Sequence, residues 1–213
     1  MKRFWKPFIS VLILGCAFMT TSCFDIVEAV SKNGTQYHFY WKISMANSMA
    51  EITGEEPGTM FDSIDEIEDF PFPNTSVKKF SNEYESGVEI NFDASRNEKD
   101  SELVKFVPTE KGNNFILPIS FADEMSKSFN DEDDMDRETK MVVGILLASF
   151  KYRIFIDKNI LPIAKKAYFE KRNGGIQEVL LLDYGTNYSI EFPLILFTQN
   201  NELKLDAVII EKR

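Results

Sequence analysis

The chain has 213 residues, 44% of them hydrophobic and 27% charged, with a formal net charge of −10 and two cysteines. Two cysteines are too few for a disulfide scaffold, and 19 Phe, 7 Tyr and 2 Trp are too many for a disordered chain. The acidic balance argues against general nucleic-acid binding, and the sequence lacks the repeated apolar runs of roughly 20 residues that a polytopic membrane protein needs.

The chain opens with Lys2, Arg3 and Lys6, continues with an apolar run from Phe8 to Met19, and closes this segment with Thr20, Thr21, Ser22 and Cys23. Basic, apolar, then small is the order of a secretory signal, and the run is short for a membrane span. The segment resembles a bacterial lipoprotein signal, in which a cysteine after small residues is acylated and becomes the new N-terminus. Ile13-Leu14-Gly15-Cys16 and Thr20-Thr21-Ser22-Cys23 both offer such a cysteine. The second is similar to the relaxed signals of Bacteroidota and spirochaetes. It is favoured over Cys16 because cleavage there leaves no free thiol outside the cytoplasm. An ordinary secretory signal cut near Ala17 or Ser22 is the alternative. The expected organisation is therefore a signal peptide, 1–22, and one lipid-anchored domain, 23–213. Loss of Lys2, Arg3 and Lys6 takes the net charge from −10 to −13. A surface of that sign does not dock on anionic lipid by charge, so attachment is expected to rest on the lipid alone.

The mature chain begins with a predicted hairpin. Ile26–Val30 reads as a short apolar strand, and Asn33-Gly34 supplies the positive φ of a tight turn. From Thr35 to Met45 the pattern alternates, with Tyr37, Phe39, Trp41, Ile43 and Met45 on one face and Gln36, His38, Lys42 and Ser44 on the other. A helix is predicted from Thr59, paired with Asp62 in a capping-box-like arrangement, and Phe70-Pro71-Phe72-Pro73 stops it. A second hairpin is expected from Ser76–Tyr84 and Val88–Asp93, turning at Glu85-Ser86-Gly87. Residues 94–113 show no period, and Phe115–Phe121 reads as a strand. An acidic loop covers 122–138, and Met141–Phe150 reads as a buried helix. Strands follow at Tyr152–Asp157, Ala164–Glu170, Ile176–Tyr184, Asn187–Phe197 and Leu203–Glu211. Their turns fall at Asn173-Gly174-Gly175, Tyr184-Gly185-Thr186 and Asn200-Asn201. Strands in hairpins with two or three packing helices imply an α+β domain with a mostly antiparallel sheet.

Cys23, the strand Ile26–Val30, the Asn33-Gly34 turn, the strand Tyr37–Met45 and the late stretch Tyr152–Ile160 together resemble small bacterial lipoproteins of the LppM-like type. The resemblance implies a lipid-anchored α+β domain and carries over no catalytic residue.

Chemical motifs are sparse. His38 is the single histidine, on the polar face of a strand, and no Gly-x-Ser-x-Gly elbow accompanies it. One histidine without a mature cysteine makes zinc improbable. Asp131, Asp133, Asp134 and Asp136 suggest calcium, but the central Gly and twelfth-position Glu of an EF-hand are out of register, and a solvated loop is the better reading. Asn173-Gly174-Gly175 lacks the spacing and lysine of a phosphate loop. Asn33, Asn74 and Asn187 fit the N-glycosylation pattern, and Asp62-Ser63-Ile64 looks like a Bacteroidota O-glycosylation signal; turn and cap chemistry account for these as well.

The expected function is a lipid-anchored protein of the bacterial cell envelope, at the outer membrane or cell surface, that binds or scaffolds without catalysis and without a cofactor or metal. Its expected contacts are the membrane, through the lipid, and an envelope protein partner; no nucleic acid is expected. A carrier of an apolar ligand such as a lipid, with Tyr37, Phe39 and Trp41 facing that ligand, is the alternative. A carboxylate-dependent hydrolase is the second alternative.

Overall fold

A computed structural model describes residues 24–48, 56, 58, 59, 61, 75–95, 104–119, 137–199 and 202–212. Eleven strands form one mixed, largely antiparallel sheet: β1 (Phe24–Asn33), β2 (Gln36–Ala46), β3 (Ser76–Ser81), β4 (Glu85–Ala94), β5 (Thr109–Lys111), β6 (Asn114–Pro118), β7 (Lys151–Asp157), β8 (Lys166–Lys171), β9 (Ile176–Asp183), β10 (Asn187–Pro193) and β11 (Leu203–Glu211). Their order across the sheet is β3-β4-β2-β1-β7-β10-β9-β8-β11-β6-β5. Helix α1 (Arg137–Ser149) precedes β7, and a 3-10 helix (Leu194–Gln199) follows β10.

This architecture corrects the α+β expectation: the fold is mostly β, and the described residues hold only two short helices. The physical reason lies in what covers the apolar faces. Inward side chains from nearly every strand join a single core, to which α1 adds Leu147 among the described side chains, so helices supply little of the cover expected of them. The stretch Met141–Phe150 was expected to be a buried helix. The helix forms, but Met141 and Ile145 are each 64% exposed, and among its described side chains Leu147 is the one buried.

The first hairpin forms as its alternation dictates. Asn33 pairs with Gln36 across Gly34, whose φ is +62°. Tyr37, Phe39, Trp41 and Met45 of β2 are buried, as are Val88, Ile90, Phe92 and Ala94 of β4 beside it. Phe39 stacks on Phe92 at 4.9 Å, and Trp41 meets Phe92 edge-on at 4.5 Å. On the other side of the sheet's middle, Tyr152 stacks on Phe192 at 5.2 Å, and Phe169 of β8 meets Phe192 edge-on at 5.0 Å. β9 joins the two halves, since its residues 176–179 pair with β8 and its residues 180–183 with β10.

Three local expectations shift. The second hairpin turns at residues 82–84, three residues ahead of the expected Glu85-Ser86-Gly87. Asn82 causes this: its Oδ1 accepts from the Tyr84 and Glu85 N–H groups, and its own N–H donates to the Glu85 carbonyl. Asn82→Ala should cost about 1 kcal/mol, the value of a turn hydrogen-bond set of this kind, as a lower urea midpoint at unchanged slope. An unchanged midpoint would place the turn's stability elsewhere. Residues 109–111, read as irregular, form β5 against β6 through Gly112. The expected long strand Asn187–Phe197 ends at Pro193, which has no N–H for the ladder. Leu194 N–H instead donates to the Phe150 carbonyl, and the chain winds into the 3-10 helix, burying Leu194 and Phe197. The helix predicted from Thr59 falls largely on residues outside the described set.

Candidate functional site

The one parallel pairing in the sheet, β1 with β7, places a carboxyl in the core. In β1 the inward residues are Ile26, Glu28 and Val30, all buried. Glu28 sits opposite Trp41 on one neighbouring strand and Ile154 on the other, and it is 0% exposed. Tyr152, one step along β7 on the same face, donates its hydroxyl to Glu28 Oε2 at 2.8 Å. Oε1 has no hydrogen-bond partner among the described residues. Burial pushes the Glu28 carboxyl from 4.5 up to about 7, and the Tyr152 hydroxyl and Trp41 indole only partly offset it. Burial and the facing Glu28 also drive the Tyr152 hydroxyl well above its ordinary value.

Sequence reading passed over Glu28 by treating Ile26–Val30 as simply apolar. The available signal was its register: an acid at the middle inward position of an alternating strand. Tyr152 was recognised only as an inward strand residue, because nothing local announces a partner that far away in the chain.

The opposite face of β1, β2, β4 and β7 carries paired charge. His38 Nδ1 lies 2.8 Å from Asp93 Oδ1, Tyr40 donates to Glu89 at 3.1 Å, Lys42 donates to Glu85 at 2.6 Å, and Arg153 donates to Asp25. Burial and the neighbouring Glu89 push the Tyr40 hydroxyl up to about 12. Partial burial alone would raise Glu85, but the Lys42 and Ser44 hydrogen bonds outweigh it and hold the carboxyl below its ordinary value. These cross-strand pairs fix register on a wetted face, where each contributes little to stability.

The other residues singled out from the sequence fall as follows. Tyr37, Phe39 and Trp41 are 6%, 0% and 2% exposed, and the Trp41 ring is packed between Phe92 and Phe106. His38 is on the outer face, beside Asp93. Cys23, the alternative Cys16 and the acids Asp131, Asp133, Asp134 and Asp136 lie outside the described residues. Among the described residues no group of three or more His, Cys, Asp or Glu could hold a metal ion. The surface hollows among the described residues are open. One of them, about 440 Å³, runs over β6 and β11 beside the Lys204–Glu170 ion pair at 2.8 Å.

No protein-family model matches the chain, and no curated protein matches it in sequence.

Proposed function

We propose that this protein is a lipid-anchored component of the bacterial cell envelope that works by binding or scaffolding. One observation carries the reading: Lys2, Arg3 and Lys6, an apolar run and Thr20-Thr21-Ser22 lead to Cys23, and β1 of the folded domain starts at the next residue, Phe24. Acylation of Cys23 would place the lipid next to the first described residue of β1, and the sequence that follows contains no other thiol. The envelope location and the absence of catalysis belong to the same proposal. Among the described residues no helix is long and apolar enough to cross a membrane, so the lipid is the attachment this reading relies on. The carrier reading draws little support, because the aromatic side chains assigned to it are ring-packed in the core.

Cys23→Ala should move the protein from the membrane fraction to the soluble fraction and abolish incorporation of a labelled fatty acid. Retention and labelling that survive Cys23→Ala but are lost in Cys16→Ala would transfer the anchor to Cys16. Labelling absent from the wild-type chain would end the lipoprotein reading.

A further inference from the structure

We infer that the exposed face of α1 rests in the lipid–water boundary of the membrane that holds the anchor. The inference depends on acylation at Cys23. Met141 and Ile145 are one helical turn apart, each 64% exposed, and Ala148 continues the stripe. Among the described residues, these two large apolar side chains on one stripe of a short helix are left exposed. The position of the helix identifies what covers them. The chain enters the fold at Phe24, and the Phe24 ring packs on Phe150, the residue after α1, at a centroid distance of 5.7 Å. Cys23 is one peptide unit from Phe24, so the acylated atom is tied within a few ångströms of that chain entry, since consecutive Cα atoms are about 3.8 Å apart. Ile145 is five residues before Phe150, roughly 7.5 Å along the helix axis. The chain entry that would carry the anchor therefore lies beside the C-terminal end of the helix that bears the apolar stripe.

Charge narrows the choice further. A mature net charge of −13 gives no attraction to anionic headgroups, so the favourable contact is apolar. An apolar patch this small would not hold a free protein at a bilayer. The anchor changes that, because tethering turns the second contact into an intramolecular step with a high effective concentration. The domain is thus laid against the bilayer along α1, where the sequence alone suggested attachment through the lipid and nothing more.

The test uses the full acylated chain in phosphatidylcholine vesicles. With Cys23 blocked by its lipid, Met141→Cys and Ile145→Cys each provide a single free thiol for an environment-sensitive fluorophore. Glu178→Cys, on the exposed side of β9, serves as the reference. The expected result is a blue shift at both helix positions and at least twofold stronger quenching by nitroxide-bearing lipids than at 178. Helix labels quenched by aqueous iodide as readily as the reference would overturn the inference while leaving the anchor intact. Labels shielded from water yet untouched by lipid nitroxides would overturn it in favour of a protein partner. Mass spectrometry of the starting protein separates the two layers: a chain lacking acyl groups on Cys23 removes the anchor reading and this inference with it.

Discussion

Glu28→Gln should leave the protein no more stable than wild type at pH 5 and more stable by about 2 kcal/mol at pH 8.5. The sign follows from the proton. In the unfolded chain the carboxyl titrates at its ordinary 4.5, and in the fold burial moves it up to about 7. Between these values the folded chain keeps a proton that the unfolded chain has lost. Rising pH therefore favours unfolding across that window, by at most about 1.4 kcal/mol per pH unit. The contribution is fully favourable below 4.5 and fully lost above 7, a swing of about 3 kcal/mol.

Glutamine cannot ionise, so it removes that swing. It also brings an amide NH₂ beside a position where the wild-type Oε1 has no hydrogen-bond partner, and an unmet buried donor costs about 1 kcal/mol or more. The two effects together give the crossover between acid and alkaline conditions. Urea unfolding of both proteins at pH 5 and 8.5 measures it, and subtracting one from the other cancels the groups they share. Those groups include Asp183 and Glu211, whose carboxyls are held low by Lys158 and by Lys165 and Lys166 and respond to acid instead. A stability difference between variant and wild type that stays constant from pH 5 to 8.5 would show that Glu28 does not titrate in this window. Tyr152→Phe gives an independent check. It removes the hydrogen bond that lowers the Glu28 carboxyl, so the descent in stability, still starting near 4.5, should continue to a higher pH and be larger in total.

Glu28 also marks where sequence reasoning stops. The β1–β2 hairpin was legible because every determinant is local: the Asn33-Gly34 turn and an unbroken alternation through β2. The buried alternation of β4 and the bounds of β11, Leu203–Glu211, were legible for the same reason. The pairing of β1 with β7 was not, because parallel neighbours are joined by no turn and leave no spacing to read. That pairing brings Tyr152 to Glu28, so the candidate site could not be assembled from either strand alone. The α+β expectation failed for a related reason. An apolar run such as Met141–Phe150 fits a buried helix or a helix with an exposed apolar stripe equally well, and only the tertiary partners decide.

Gly87→Ala should destabilise the fold by about 3 kcal/mol or more, in the upper part of the overpacking range. From the sequence this glycine reads as a hairpin turn residue, and its replacement would then cost only the loss of a permissive φ. The structure gives it a different duty. Gly87 lies inside β4, paired with Ser44 of β2 and with Phe80 of β3. A Cβ at this position would lie 2.3 Å from the Ile43 carbonyl oxygen, 2.9 Å from the Ser44 Cα and 2.9 Å from the Phe80 ring. Two of those three atoms are backbone, so no rotamer change relieves the clash. β4 would have to move away from β2, and the strain would reach the Trp41–Phe92 and Phe39–Phe92 contacts a few residues along the same pair of strands. Gly34→Ala is the matched comparison. No atom lies within 4 Å of its would-be Cβ, and the cost there comes from φ +62° alone, about 1 kcal/mol. Thermal or urea unfolding of both variants tests the contrast. Equal losses at the two positions would mean that β4 yields to the added methyl, and that the close approach of β2 and β4 at Gly87 is not a constraint on the sheet.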